Sequence, residues 1–114
     1  MMARSDSLEM GELTDTAYYI LLSLVEARHG YLIMKTIEDM THQRFSIGPA
    51  SMYTTIKKLL EAGLIQLIDD QDPKRKTYLA TDKGLELLKK EVTRRREMVR
   101  HAEEVFEKRG ERWG

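Results

Sequence analysis

From Leu13 to Arg28 the apolar positions Leu13, Ala17, Ile20, Leu21, Leu24 and Val25 recur at helical spacing, which predicts one amphipathic helix. Thr14 or Asp15 supplies its N-cap and His29-Gly30 its stop. A second helix is predicted from Tyr31 to about Met40, with Ile33, Met34, Ile37 and Met40 turned inward. Thr41–Gly48 reads as irregular, with Phe45-Ser46-Ile47 as a candidate very short strand. Pro49 suits the first position of a third helix, because its missing N–H costs nothing there. That helix buries Met52, Ile56, Leu59 and Leu60 and ends at Ala62-Gly63, with Gly63 as the left-handed residue past its end. Ile65–Asp69 and Lys76–Ala80 are β-favouring runs, and the polar, Pro-containing segment between them predicts a hairpin. Thr81 then caps a last helix that runs from Asp82 to about Arg109.

This last helix changes the picture. Leu85, Leu88, Val92, Arg95, Val99, Ala102 and Phe106 alternate in steps of three and four, the pattern of a helix–helix seam. Leu87, Glu91, Met98 and Val105 form an adjacent stripe suited to the first helix, from the same chain or a partner's. At 1.5 Å per residue the helix is about 40 Å long. A 114-residue globule cannot cover such a length, so a partner helix is implied. The predicted fold class is mainly α with a small β-hairpin wing (α+β): a winged helix-turn-helix plus a long C-terminal dimerisation helix. The expected divisions are a disordered tail over 1–12, the winged unit over 13–81, the dimerisation helix over 82–109 and a short tail over 110–114.

Lysine and arginine together number 19, as do the acids, so net charge argues for no partner. The distribution is uneven: residues 1–46 hold four basic and seven acidic groups, whereas residues 85–114 hold nine and seven. The basic groups between are clustered as Lys57-Lys58 and Lys74-Arg75-Lys76, and local clusters matter more to phosphate binding than the total. There is no cysteine, so disulfides, thiolate catalysis and cysteine-bound zinc are excluded. The N-terminal residues have no apolar signal region and no run could span a bilayer, so a cytoplasmic protein without a membrane partner is expected. No phosphate-binding glycine loop, GxSxG or HExxH occurs, and His29, His42 and His101 lack ligand spacing, so neither an enzyme nor a cofactor is expected.

Gly30-Tyr31-Leu32-Ile33-Met34-Lys35, Ser51 to Leu59 (SMYTTIKKL) and Gly63-Leu64-Ile65 resemble the PadR-type transcriptional regulators. Tyr78, Thr81 and Gly84 fit that family's junction between wing and last helix. The similarity covers Leu13 to about Glu104 and is to the short members, which have one C-terminal helix; Ala80 departs from it, where a larger apolar residue is usual. The resemblance implies a homodimeric prokaryotic repressor that binds a double-stranded DNA operator and is in some cases released by a small, often aromatic, effector.

In such a fold the third helix enters the major groove. Its open face carries Ser51, Thr54, Thr55 and Lys58, flanked by Lys57. Short hydroxyl side chains allow close approach, threonine methyls can touch thymine methyls, and lysines reach phosphate or guanine. With no Arg, Asn or Gln on the helix, direct readout is modest and DNA shape supplies the rest. Tyr53 has two roles open to it, packing beside the second helix or bonding a phosphate, and the resemblance favours the phosphate. Lys74, Arg75 and Lys76 of the wing are expected on the backbone or in the minor groove, although Asp69, Asp70 and Asp72 partly cancel their field. Leu85, Leu88, Val92, Val99, Ala102 and Phe106 are the expected dimerisation residues, with Arg95 either fixing register or belonging with Arg94 and Arg96 to a solvated run that Glu91 and Glu97 partly neutralise. Tyr18 and Tyr19 are candidates for a dimer contact, a phosphate contact or a wall of an effector pocket between subunits, and Trp113 is expected in an exposed tail. The rival reading is a winged-helix protein–protein interaction module without DNA binding.

Overall fold

The structure is a computed structural model, and it describes residues 12–69, 71 and 75–110. Seven elements follow one another: α1 (Asp15–Ser23), β1 (Arg28–His29), α2 (Gly30–Met40), α3 (Pro49–Glu61), β2 (Ile65–Asp69), β3 (Thr77–Ala80) and α4 (Asp82–Lys108). The strands form one antiparallel sheet in the order β1-β3-β2. Ile20, Leu21 and Leu24 from α1 and its exit meet Ile33 and Ile37 of α2 and Met52 and Leu59 of α3, and all seven are wholly buried. Ile65, Tyr78 and Ala80 close this core from the sheet and Leu88 from α4.

Local chemistry sets most of the boundaries. The Thr14 hydroxyl accepts the Ala17 amide at 3.1 Å and opens α1. Gly63 sits at φ 74°, the left-handed region that glycine adopts without penalty. That turn lets the Leu64 amide bond the Leu59 carbonyl at 2.9 Å and the Gly63 amide bond Leu60 at 3.0 Å, the paired closure of a Schellman motif. Leu64 and Leu59 are both buried, which adds the apolar contact usual to that motif.

Four expectations are corrected. The first helix stops at Ser23 instead of reaching Arg28, because Arg28 and His29 pair with Tyr78 and Thr77 as strand β1. The Ala80 amide bonds the Leu24 carbonyl at 2.8 Å, and the Arg28 guanidinium donates to the Ser23 carbonyl at 2.8 Å. Sheet pairing thus overrides helical periodicity, and Val25 is left 46% exposed. Phe45-Ser46-Ile47 is not a strand: the Thr41 hydroxyl holds both the amide and the carbonyl of Phe45 in a turn. Met40, expected inside, is exposed at the end of α2. Lys76 precedes β3 and instead accepts the Gly30 amide at 3.0 Å on its carbonyl.

The long helix is as expected in extent, but its use is divided. Gly84, Leu88 and Glu91 are buried within the chain. Leu85 and Leu87 pack half-buried against the core. Leu88, expected at a dimer contact, is therefore a core residue of its own chain, and Leu85 is largely one too. Beyond Glu91 the helix leaves the core, with Met98 and Val99 each 55% and Val105 57% exposed. The molecule spans 58 Å along its longest axis and 25 Å along its shortest. No described helix is long and apolar enough to cross a membrane.

Candidate nucleic-acid interface

The periodicity that buries Met52, Ile56 and Leu59 of α3 turns Ser51, Tyr53, Thr54, Lys57 and Lys58 outward, and all five are exposed. Thr55 differs from these five. It is half-buried, and its hydroxyl donates to the Ser51 carbonyl of its own helix at 2.9 Å. Neither lysine makes an ion pair with another described residue, and the same holds for Arg75 and Lys76 of the wing. Arg75 and Lys76 are exposed, while Lys74, Asp70 and Asp72 lie outside the described residues, as do Trp113 and all of the expected 1–12 tail but residue 12.

Tyr53 of α3 and Tyr78 of β3 both approach Gly30. Gly30, at the start of α2, is buried between the two tyrosines: a Cβ there would stand 3.3 Å from the Tyr78 ring and 3.6 Å from the Tyr53 hydroxyl. The Tyr53 ring edge lies beside Gly30 at the start of α2, and the side chain remains 50% exposed. Burial, and then the neighbouring Tyr53 phenol, push the Tyr78 hydroxyl above its ordinary pKa, so it stays neutral. His29 ties the same corner to the wing: its Nδ1 lies 2.9 Å from the Thr77 hydroxyl and 3.1 Å from the Arg75 carbonyl. The Tyr31 ring stacks on His29 at 5.7 Å between centroids and is 52% exposed. Sequence reasoning misses His29 and Tyr31 as parts of this surface. The available signal is Gly30-Tyr31 at a helix start, but only the sheet pairing of His29 places it against the wing.

A second feature lies at the N-terminal end of α1. Tyr18, Tyr19, Leu22, Met40, Phe45, Arg44, Asp15 and Arg95 line an open groove of about 490 Å³. Tyr18 and Tyr19 meet edge to face at 5.5 Å, and Tyr19 packs on Phe45 at 4.7 Å. Arg95 is engaged within its own chain. Its guanidinium lies 4.3 Å from the Tyr18 ring centroid and donates to Asp15 at 3.0 Å and to the Leu13 carbonyl at 2.8 Å. Among the described residues no cluster of His, Asp or Glu could hold a metal ion.

The model of the transcriptional regulator PadR-like family matches residues 20–90, which contain the whole proposed interface. The chain resembles a PadR family transcriptional regulator from Eggerthella lenta, with 25% identity, a TM-score of 0.71 and 90% of each chain covered. It resembles Bacillus subtilis PadR, solved in complex with operator DNA, with 28% identity and a TM-score of 0.57 over 67% of this chain and 45% of that one. A PadR-like transcription factor from Bacteroides fragilis shares the fold at 20% identity and a TM-score of 0.67, with 89% of this chain and 96% of that one covered. Comparison with curated protein sequences finds no match. The family match, the winged helix and the exposed hydroxyl-and-lysine face of α3 agree: the chain belongs to the PadR-like family of transcriptional regulators.

Proposed function

We propose that the protein is a homodimeric repressor that binds a pseudo-palindromic DNA operator, acts in the cytoplasm and is released by a small aromatic effector. The observation that carries the reading is the set of exposed hydroxyls and lysines on α3, with exposed cations at the wing. Ser51, Thr54, Lys57 and Lys58 are exposed together on α3, Tyr53 approaches Gly30 beside Tyr78 of β3, and Arg75 and Lys76 are exposed just ahead of that strand. Bacillus subtilis PadR, a relative of the same family, is known with its operator. In the complex Ser51, Thr54 and the Thr55 methyl would meet base edges. Tyr53, Lys57, Lys58, Arg75 and Lys76, with Lys74 beside them, would meet phosphates.

Dimerisation rests on the far half of α4, where Val92, Val99, Ala102 and Phe106 share one side with Met98 and Val105 next to it. An exposed apolar stripe on a helix that leaves its own core is accounted for by a second helix. Two α3 helices would then enter successive major grooves roughly 34 Å apart. The groove beside α1 offers Tyr18, Tyr19 and Phe45 as faces for an aromatic effector.

Selection from random duplexes at roughly 150 mM salt tests the reading. An enriched inverted repeat with half-sites one helical turn apart supports it. Absence of enrichment would sink it and favour a protein-interaction module. On the selected site, the double variant Lys57→Ala, Lys58→Ala should weaken binding and lower the salt slope by about 1 for each phosphate no longer neutralised. Unchanged affinity and slope would move the interface off this face of α3.

A further inference from the structure

Glu91 is completely buried, although it is a carboxylate on an otherwise charged helix. Leu13, just ahead of the α1 cap, is buried beside it. The Leu13 amide donates to Glu91 Oε2, and the Leu13 carbonyl accepts from Arg95 Nη2 at 2.8 Å. Glu91 and Arg95 are one helical turn apart, so two side chains of α4 grip both backbone polar groups of one residue. Arg94 fixes the carboxylate from outside, with bonds of 2.6 and 3.2 Å. Asp15 and the Tyr18 ring fix the Arg95 guanidinium.

A single contact between two helices sets a distance, whereas two contacts a turn apart on opposite poles of one residue also set an angle. Apolar packing would hold α1 on α4 without burying a carboxylate, and a buried ion pair is not by itself a source of stability. The position is also strategic: α1 packs directly on α3, and α4 beyond Glu91 runs out to the exposed apolar stripe. We infer that Glu91 and Arg95 are positioning residues whose clamp on Leu13 sets the angle between α4 and the DNA-reading unit. In a dimer this angle sets the separation of the two α3 helices, and hence the accepted half-site spacing. That last step rests on the dimeric reading above; the angle itself does not.

The chain has no cysteine, so introduced labels report without background. Glu61→Cys at the end of α3 and Glu103→Cys on α4 are exposed positions for spin labels. Labelled chains diluted in an excess of unlabelled ones report the distance within one chain, whether it is monomeric or dimeric. From residue 91 to 103 the helix is a lever of about 18 Å, so a tilt of about 10° moves the label by about 3 Å. The wild type should give one narrow distance. Glu91→Leu, which removes the acceptor, and Arg95→Met should shift or broaden it by at least that much, and Arg95→Lys, which keeps the cation but only one donor group, should fall between. The same variants should shift or broaden the optimum in a series of operators of varied spacing, with the half-site sequence preference unchanged. If Arg95→Met folds cooperatively and keeps the wild-type distance, the inference is overturned. If the distance changes while the wild type binds no DNA or is monomeric, the clamp stands and the dimeric-repressor reading falls.

Discussion

Gly84 shows what one missing side chain does. A Cβ at this position would lie 2.0 Å from the Leu64 carbonyl oxygen and 3.3 Å from Leu21. The same carbonyl accepts the Thr81 amide at 3.0 Å, and the Thr81 hydroxyl accepts Gly84 N–H at 3.0 Å while donating to Gly63 at 2.7 Å. Wing exit, helix cap and the end of α3 are therefore knotted at one point, and backbone cannot yield there as a flexible side chain would. Gly84→Ala should cost about 3 kcal/mol by overpacking, read as a lowered urea midpoint. A loss under about 0.5 kcal/mol would show that α4 can slide away from α3. The residues at this knot were legible in the sequence as Thr81 and Gly84, but the reason for the glycine was not. A close approach between segments distant along the chain leaves no periodic trace.

At the scale of elements, α4 is two helices in one. Its first turns behave as a core helix through Gly84, Leu88 and Glu91, and its later turns as a solvent-exposed rod. The joint between α4 and α1 carries the pH dependence. Burial alone would push the Glu91 carboxyl up. The Arg94 bond, the Leu13 amide and the Arg94 and Arg95 charges outweigh it, and hold the group below the ordinary carboxylate range. A carboxyl depressed in the folded state contributes stability that is fully present above its unfolded pKa and is lost as pH falls through the folded one. Glu91→Gln removes this contribution, so the variant should be less stable by about 2 kcal/mol at neutral pH. Thermal midpoints followed from about pH 7 to 3 should converge, the wild type falling more steeply. Parallel curves would mean that Glu91 titrates alike in both states. The end of α2 is a contrasting case: His42 and Gln43 take φ of 54° and 67°, where glycine is usual, yet amide bonds to Asp39 and Glu38 still close the helix. Sequence reading sees a helix end there only through the loss of periodicity.

For the whole molecule, the question is what covers the exposed apolar length of α4. Val99 is 55% exposed in the single chain, so replacing it costs the fold little. If α4 pairs with a second copy, Val99→Asp loses buried apolar area and places a carboxylate in the seam from both chains. Each copy then loses about 1.5 kcal/mol or more, and the dimer should weaken about 100-fold. Sedimentation across a dilution series reads this directly. An unchanged association constant, with folding intact, would place the dimer contact elsewhere on the surface.

Helix positions, the wing, the caps at Thr14 and Thr81 and the left-handed Gly63 were set by local chemistry, because spacing, capping and glycine freedom act within a few residues. The same locality exposes Ser51, Tyr53, Thr54, Lys57 and Lys58, since burying one stripe of α3 leaves the others outside. Only tertiary structure decided the rest. It ended α1 at Ser23 by recruiting Arg28 and His29 into the sheet, drew Leu88 into its own core, and brought Arg95 onto the Leu13 carbonyl. Each of these depends on a contact between segments far apart in the chain, where pairing and burial outweigh local preference.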